Sequence, residues 1–354
     1  MVRRSGIAAN ASLDFMAHIK GENLMIFFFF AIAAVLTVTA AVKLSTYADV
    51  ISLKSKWGGL MVGTILLAGA TSLPEVTTSL TAVILDNPDI AVGNVLGSNM
   101  FNLLIIATFD LYYRKEKLFS RTDMSHAYTA SLGIVLSLMV LAALFIRTDL
   151  SLAGIGLDSL FILAVYIAGI IFINKQTEKG MTEEAEVSRS EESTPSYAIS
   201  LKHAQIGFII AAAVILAAGS LLTITGDEIA VQTGLGSSFV GSFLIAASTS
   251  LPEAVAVLVA LQLQNHNLAL GSILGSNLFN MILLAVSDIA YFSGPIIAAS
   301  SPVHQITAGA VSLLAAIVLL SVLRGRKKVF HLYPWPSALL IVLYFITSYF
   351  IFIF

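Results

Sequence analysis

The pentapeptide TSLPE occupies residues 71–75 and returns at 249–253, and the hexapeptide GSNMFN at 97–102 is answered by GSNLFN at 275–280. Both pairs are 178 positions apart, and laying 69–110 over 247–288 at that offset matches nineteen of forty-two residues without a gap. The chain is therefore an internal duplication. Each TSLPE lies inside a long apolar run, 58–85 or 236–263, and places a proline, Pro74 or Pro252, well within it. A proline there removes a backbone donor and clashes with the carbonyl four residues back, so both helices are expected to kink or break. The carbonyls freed around residues 68–72 and 246–250 need partners, since lipid offers none. A bound cation would supply one, and the hydroxyls of Thr71 and Thr249 are the alternative.

The rest of the sequence demands a bilayer. Of 354 residues 57% are apolar and 11% charged, more hydrocarbon than a soluble core of this size could hide. The net charge of −2 gives no reason to expect nucleic acid, and the absence of cysteine excludes disulfides, thiolate metal sites and cysteine nucleophiles. Apolar segments fall near 25–44, 58–85, 91–109, 126–146, 152–173, 205–225, 236–263, 268–287, 302–323 and 333–354. Continuous runs are helices, because barrel strands would alternate over about ten residues. The run at 25–44 is as long as the roughly 20 residues that cross a bilayer, so it reads as a first span and not as a secretory signal.

These segments predict an all-α polytopic membrane protein of ten transmembrane helices, arranged as two inverted five-helix repeats. The expected division is an N-terminal extracytoplasmic segment 1–24, a first repeat 25–174, a linker 175–204 and a second repeat 205–354. An odd number of spans per half makes equivalent helices cross in opposite directions. Counting Lys and Arg on alternate sides gives fifteen against four, which puts the linker in the cytoplasm of a plasma or cell inner membrane and both termini outside it. Trp57, Tyr333 and Trp335 begin apolar runs, as interfacial anchors do. The linker carries Glu183, Glu184, Glu186, Glu191 and Glu192 and reads as solvated.

Glu75 and Glu253 follow the two prolines and are the carboxylates set deep in spans, where an unpaired acid costs several kcal/mol. No lysine or arginine is placed to neutralise them, so cations are expected between them. Oxygen ligands for a hard cation are on offer from Glu75, Glu253, Thr71, Thr249, Asn99, Asn102, Asn277 and Asn280, with no imidazole or thiolate among them. His266 and His304, near span ends, read as solvated, and so do Asp110 and Asp288. Gly93, Gly97, Gly271 and Gly275 form a small-residue face that lets the third span of each half approach its broken neighbour.

The motifs GATSLPE and AASTSLPE, each followed by GSN-x-FN, resemble the two alpha-repeats of the calcium/cation antiporter superfamily, with the prokaryotic sodium/calcium exchangers the most similar. The resemblance implies an antiporter that exchanges Ca2+ for Na+ by alternating access, with no cofactor and no enzymatic activity, and membrane lipid as its bulk partner. It maps the calcium site onto Glu75, Glu253, Thr71 and Thr249, joined by Asn102 and Asn280. Flanking sodium sites would fall to Ala68, Ser98 and Ser250 on one side and to Ser72, Ala246 and Ser276 on the other. Family members commonly carry aspartate where Asn280 stands, so H+ in place of Na+, or another divalent ion in place of Ca2+, is the alternative. A passive cation channel is the rival of a different class.

Overall fold

The computed structural model describes residues 2–54, 70–114, 118–123, 125–181, 199–325 and 335–354. The helices are α1 (Val2–Lys54), α2 (Leu73–Ile84), α3 (Pro88–Tyr112), α4 (Ser125–Ile146), α5 (Leu157–Met181) and α6 (Leu201–Thr233) in the first part of the chain. They are followed by α7 (Ser237–Thr249), α8 (Leu251–Gln262), α9 (His266–Ala290), α10 (His304–Gly325) and α11 (Trp335–Ile353). Eight are long and apolar enough to cross a membrane, and α7 with α8 forms a ninth candidate span, bent by 40° at Ser250. Of the expected span 58–85, residues 58–69 lie outside the described residues, as does most of the linker at 182–198. The chain is an integral membrane protein of predominantly helical, polytopic build.

One departure from an all-helical plan is a hairpin of two-residue strands, Ser151–Leu152 pairing with Ile155–Gly156. Ala153 and Gly154 adopt φ of 54° and 87°, the left-handed pair that a two-residue hairpin turn requires. The span expected from residue 152 accordingly starts later, at Leu157.

The duplication is visible in the backbone. Ser72 and Ser250, each two residues before its proline, hold φ/ψ of −91°/4° and −87°/0°, and a new helix begins directly after each. At the far ends of these helices Asp86 and Gln264 take φ of 54° and 57°. The next residues, Asn87 and Asn265, cap α3 and α9 by accepting from Ile90 N at 3.1 Å and Leu268 N at 2.9 Å. Upstream of Ser250 the chain winds as a π-helix over Val240–Ile245, a loosened geometry for which nothing in the sequence pattern gave warning.

α3 is the most enclosed span, 89% of its apolar window being buried, against 11% for α5 at the periphery. Gly93 and Gly97 of α3 lie against Ser242 of α7, so the small-residue face closes on the broken helix of the other half. At one end of the bundle Asn87 donates to Asp227 at 2.6 Å and Ser237 at 3.0 Å, and Arg147 donates to the carbonyls of Ala298 and Ser300. At the other end Asn267 donates to Asp123 at 2.7 Å and Ser337 to Asp110 at 2.6 Å.

Two expectations are corrected here. Asp110 and Asp288 are each 1% exposed, not solvated, because distant segments supply their donors. Ser337 serves Asp110, while the backbone N–H groups of Gly156 and Ile296 serve Asp288 at 2.7 and 2.6 Å. His304 is fully buried, its Nε2 3.3 Å from Asp89 Oδ1, and His266 is 7% exposed. Both histidines open helices that dock on neighbours, so their positions at span ends do not expose them.

Candidate cation site

The paired helix breaks set the position of the acids. Because α2 and α8 restart after Ser72 and Ser250, Glu75 and Glu253 fall in their first turns, where helix N-termini favour negative charge. Both side chains are enclosed, at 1% and 2% exposure. Ser250 Oγ stands 3.5 Å from Glu75 Oε1, across 175 residues of sequence, and the two carboxylates lie within electrostatic reach of each other. A hydroxyl from the second TSLPE motif thus reaches the acid of the first.

Thr249 joins the halves. Its hydroxyl reaches Ala246 O at 3.2 Å and Asn94 Oδ1 at 3.3 Å, and Ser98 Oγ lies 3.4 Å away. Ala246 O also accepts from Ser250 N at 3.1 Å. Of the carbonyls around this break, that of Ala246 is thus occupied within the protein, in part by the threonine hydroxyl. Ser72, Ser98 and Ser250 are buried beside the acids, whereas Thr71 and Ser276 are half-buried and Ala68 lies outside the described residues.

Beside this layer four asparagines form a network around a reciprocal Asn99–Asn277 ring, and every bond has a mate at the repeat offset. Asn99 Nδ2 donates to Asn277 O, and Asn277 Nδ2 donates to Asn99 O, both at 3.3 Å. Asn102 Nδ2 donates to Asn277 Oδ1, and Asn280 Nδ2 to Asn99 Oδ1, both at 2.9 Å. Turning the amide of Asn102 or Asn280 over would set oxygen against oxygen, so the ring fixes which atom each leaves over. Those atoms are Asn102 Oδ1 and Asn280 Oδ1. With Glu75 Oε2 and both oxygens of Glu253 they are buried and lack a hydrogen-bond partner among the described residues. All five are acceptors, and a buried acceptor without a donor costs about 1–3 kcal/mol, more when charged.

Asn94 is the residue that sequence reasoning passed over. Its Nδ2 reaches Glu75 O at 3.2 Å, Thr78 Oγ1 at 2.8 Å and Ser79 Oγ at 2.9 Å, which locks α3 to the first turns of α2. The available signal was spacing: Asn94, Ser98 and Asn102 recur every fourth residue and share one face of a helix. Among the described residues no group of three His, Cys, Asp or Glu could hold a metal, so metal chemistry here would rest on two carboxylates and neutral oxygens.

A model of the family described as sodium/calcium exchanger protein matches residues 25–174 and 203–353. The chain belongs to this family. It is accordingly a cation antiporter of the calcium/cation superfamily, a family of transporters close to prokaryotic exchangers. CaxA of Alkalimonas amylolytica is 26% identical over 273 residues, 76% of this chain and 81% of that protein. Among solved structures, the H+/Ca2+ exchanger CAX shares the fold at a TM-score of 0.62 with 12% identity, over 92% of this chain and 87% of its own. The sodium-calcium exchanger NCX_Mj does so at 0.53 with 21% identity, over 92% and 97%.

Proposed function

We propose that the chain exchanges Ca2+ for Na+ by alternating access, with the ions held between its two repeats at Glu75 and Glu253. One observation carries this reading: two enclosed carboxylates and two enclosed amides present five acceptor oxygens with no donor among the described residues. An uncompensated pair of buried acids is strongly unfavourable, and a hard cation with several oxygen ligands relieves it. The same imbalance makes the exchange obligatory, because the empty pair resists reorientation.

The ends of the mate helices support an inverted arrangement of 25–174 and 205–354. α3 starts at the end where Asn87 meets Asp227 and finishes where Asp110 meets Ser337, while α9 starts where Asn267 meets Asp123 and finishes where Asp288 meets Gly156. The end rich in Lys and Arg, with the linker 175–204, is the cytoplasmic one, which leaves the segment 1–24 and both termini outside a plasma or cell inner membrane. Sodium ions flank the centre at Ser98 with Ser250 and at Ser72 with Ser276. Ala246 is a poor contributor, its carbonyl being already engaged twice.

A second reading, proton coupling, is favoured by the amide at residue 280. With asparagine at both 102 and 280 the centre carries two formal charges, neutralised by one calcium or by two monovalent ions. Exchange is then expected to move no net charge: in proteoliposomes, calcium uptake driven by sodium proceeds at the same rate with the membrane potential clamped positive, zero or negative. A rate that follows the potential would require further charge at the centre. Sodium, potassium and proton gradients applied in turn test the counter-ion. Uptake with sodium alone is expected, uptake with protons alone selects the second reading, and uptake with no opposing gradient makes the chain a passive pore.

The asparagine ring yields its own test. Asn99→Ala frees the amide of Asn280, and Asn277→Ala frees that of Asn102, so each variant should weaken equilibrium calcium binding about ten- to a hundredfold, as supporting residues of metal ligands do. Unchanged affinity in both would detach the ring from the site.

A further inference from the structure

The geometry points to a binding site for an anionic phospholipid in the seam between α1 and α6. These helices run against each other over a long stretch, and Lys54 Nζ donates to Ile199 O at 2.7 Å where α1 finishes and α6 is about to begin. Near that end residues of both helices line a cavity of about 430 Å3, within the range of ligand-binding pockets. Its wall changes character along the seam. Tyr47 and His203 stand nearest the Lys54 end, the mouth, with Lys43 one turn farther along α1, and Ile210 and Val214 line it farther along α6. His203 to Val214 is eleven residues, roughly 16 Å of helix, enough for a large part of one acyl chain.

The mouth is a built feature. Tyr47 meets His203 edge to face at 6.4 Å, and Gly207 gives the tyrosine ring its room, since a Cβ there would overlap it. Lys43 is exposed, two turns of helix inside Ile51, where its stem can lie along the apolar wall while the ammonium reaches headgroup level. Lys54 and Lys202 are exposed at the same end and, with Lys43, outnumber the one acid of this end of α1, Asp49. What covers the cavity follows from its rim. Ile206 and Ile210 of its lining are 49% and 59% exposed on a membrane-spanning helix, so the opening faces hydrocarbon and admits an occupant from the bilayer. An apolar trough beneath a cationic mouth selects an acyl chain with an anionic headgroup. The site is remote in sequence from Glu75 and Glu253 and independent of the exchange reading.

The test is lipid retention by the full chain. The protein is placed in nanodiscs of phosphatidylcholine with a minority of phosphatidylglycerol, released, and weighed by native mass spectrometry. One phosphatidylglycerol is expected to be retained in preference to phosphatidylcholine, about fivefold less in Lys43→Gln and undiminished in Lys43→Arg. Equal retention of the two lipids by the unaltered protein, a measurement that needs no variant, would overturn the proposal. So would displacement of the lipid by soluble glycerol phosphate, which would show that the acyl chain plays no part, or full retention by Lys43→Gln.

Discussion

Glu75→Gln is expected to abolish calcium exchange in proteoliposomes while leaving the protein folded, and Glu253→Gln to do the same. Removing one member of a buried charged constellation forfeits about 3–5 kcal/mol, or roughly two to three and a half decades of affinity, when its partner is a bound ion. Folding is expected to survive because the substitution removes a liability of the empty protein. With no cation bound, neither enclosed carboxylate has a strong donor: the Ser250 hydroxyl is 3.5 Å from Glu75, and Glu253 has the Ser276 hydroxyl beside it but no hydrogen bond of good geometry among the described residues. Neutralising either should leave the thermal midpoint of the ion-free protein unchanged or raised. Added calcium should stabilise the unaltered chain, as any ligand of the native state does, and fail to stabilise the variants. Thermal shift with and without calcium checks both halves of this expectation. A variant that still exchanged, or one that unfolded without calcium, would contradict the roles given to these acids.

The second large effect concerns packing. Gly97→Ala would drive a methyl group into the carbonyl and Cα of Ser242, backbone atoms that cannot turn aside as a side chain could. At Gly93 the nearest atom to the same methyl is Ser242 N at 3.0 Å, which a few tenths of an ångström relieve. Overpacking typically costs about 1–3 kcal/mol, and Gly97→Ala should reach or pass the top of that range while Gly93→Ala stays near the bottom. Melting of the two purified variants checks the order. Equal midpoints would mean that α3 and α7 do not approach as closely as described.

The duplication also explains why so much of this site was legible before any coordinates. Proline rules and an exact offset of 178 located both breaks, and the scarcity of deep carboxylates singled out Glu75 and Glu253. The asparagines were visible as polar atoms in apolar spans, though their ring was not, because hydrogen bonding between Asn99 and Asn277 depends on how two distant helices cross. The burial of Asp110, Asp288 and His304 escapes the local sequence for the same reason. Their proximity to span ends is local information, whereas the partners that bury them, Ser337, Gly156 and Asp89, come from elsewhere in the chain. The π winding of 240–245 and the hairpin at 151–156 lie below the resolution of hydropathy, which averages over a span and does not register a single loosened turn.

Whether the two acids act as one cation site is tested most directly by equilibrium binding of labelled calcium to the purified protein. The account predicts a single calcium per chain, displaced competitively by the coupling ion and lost in Glu75→Gln, in Glu253→Gln and in the double variant alike. Calcium bound undiminished by the double variant would place the ion elsewhere and contradict the account.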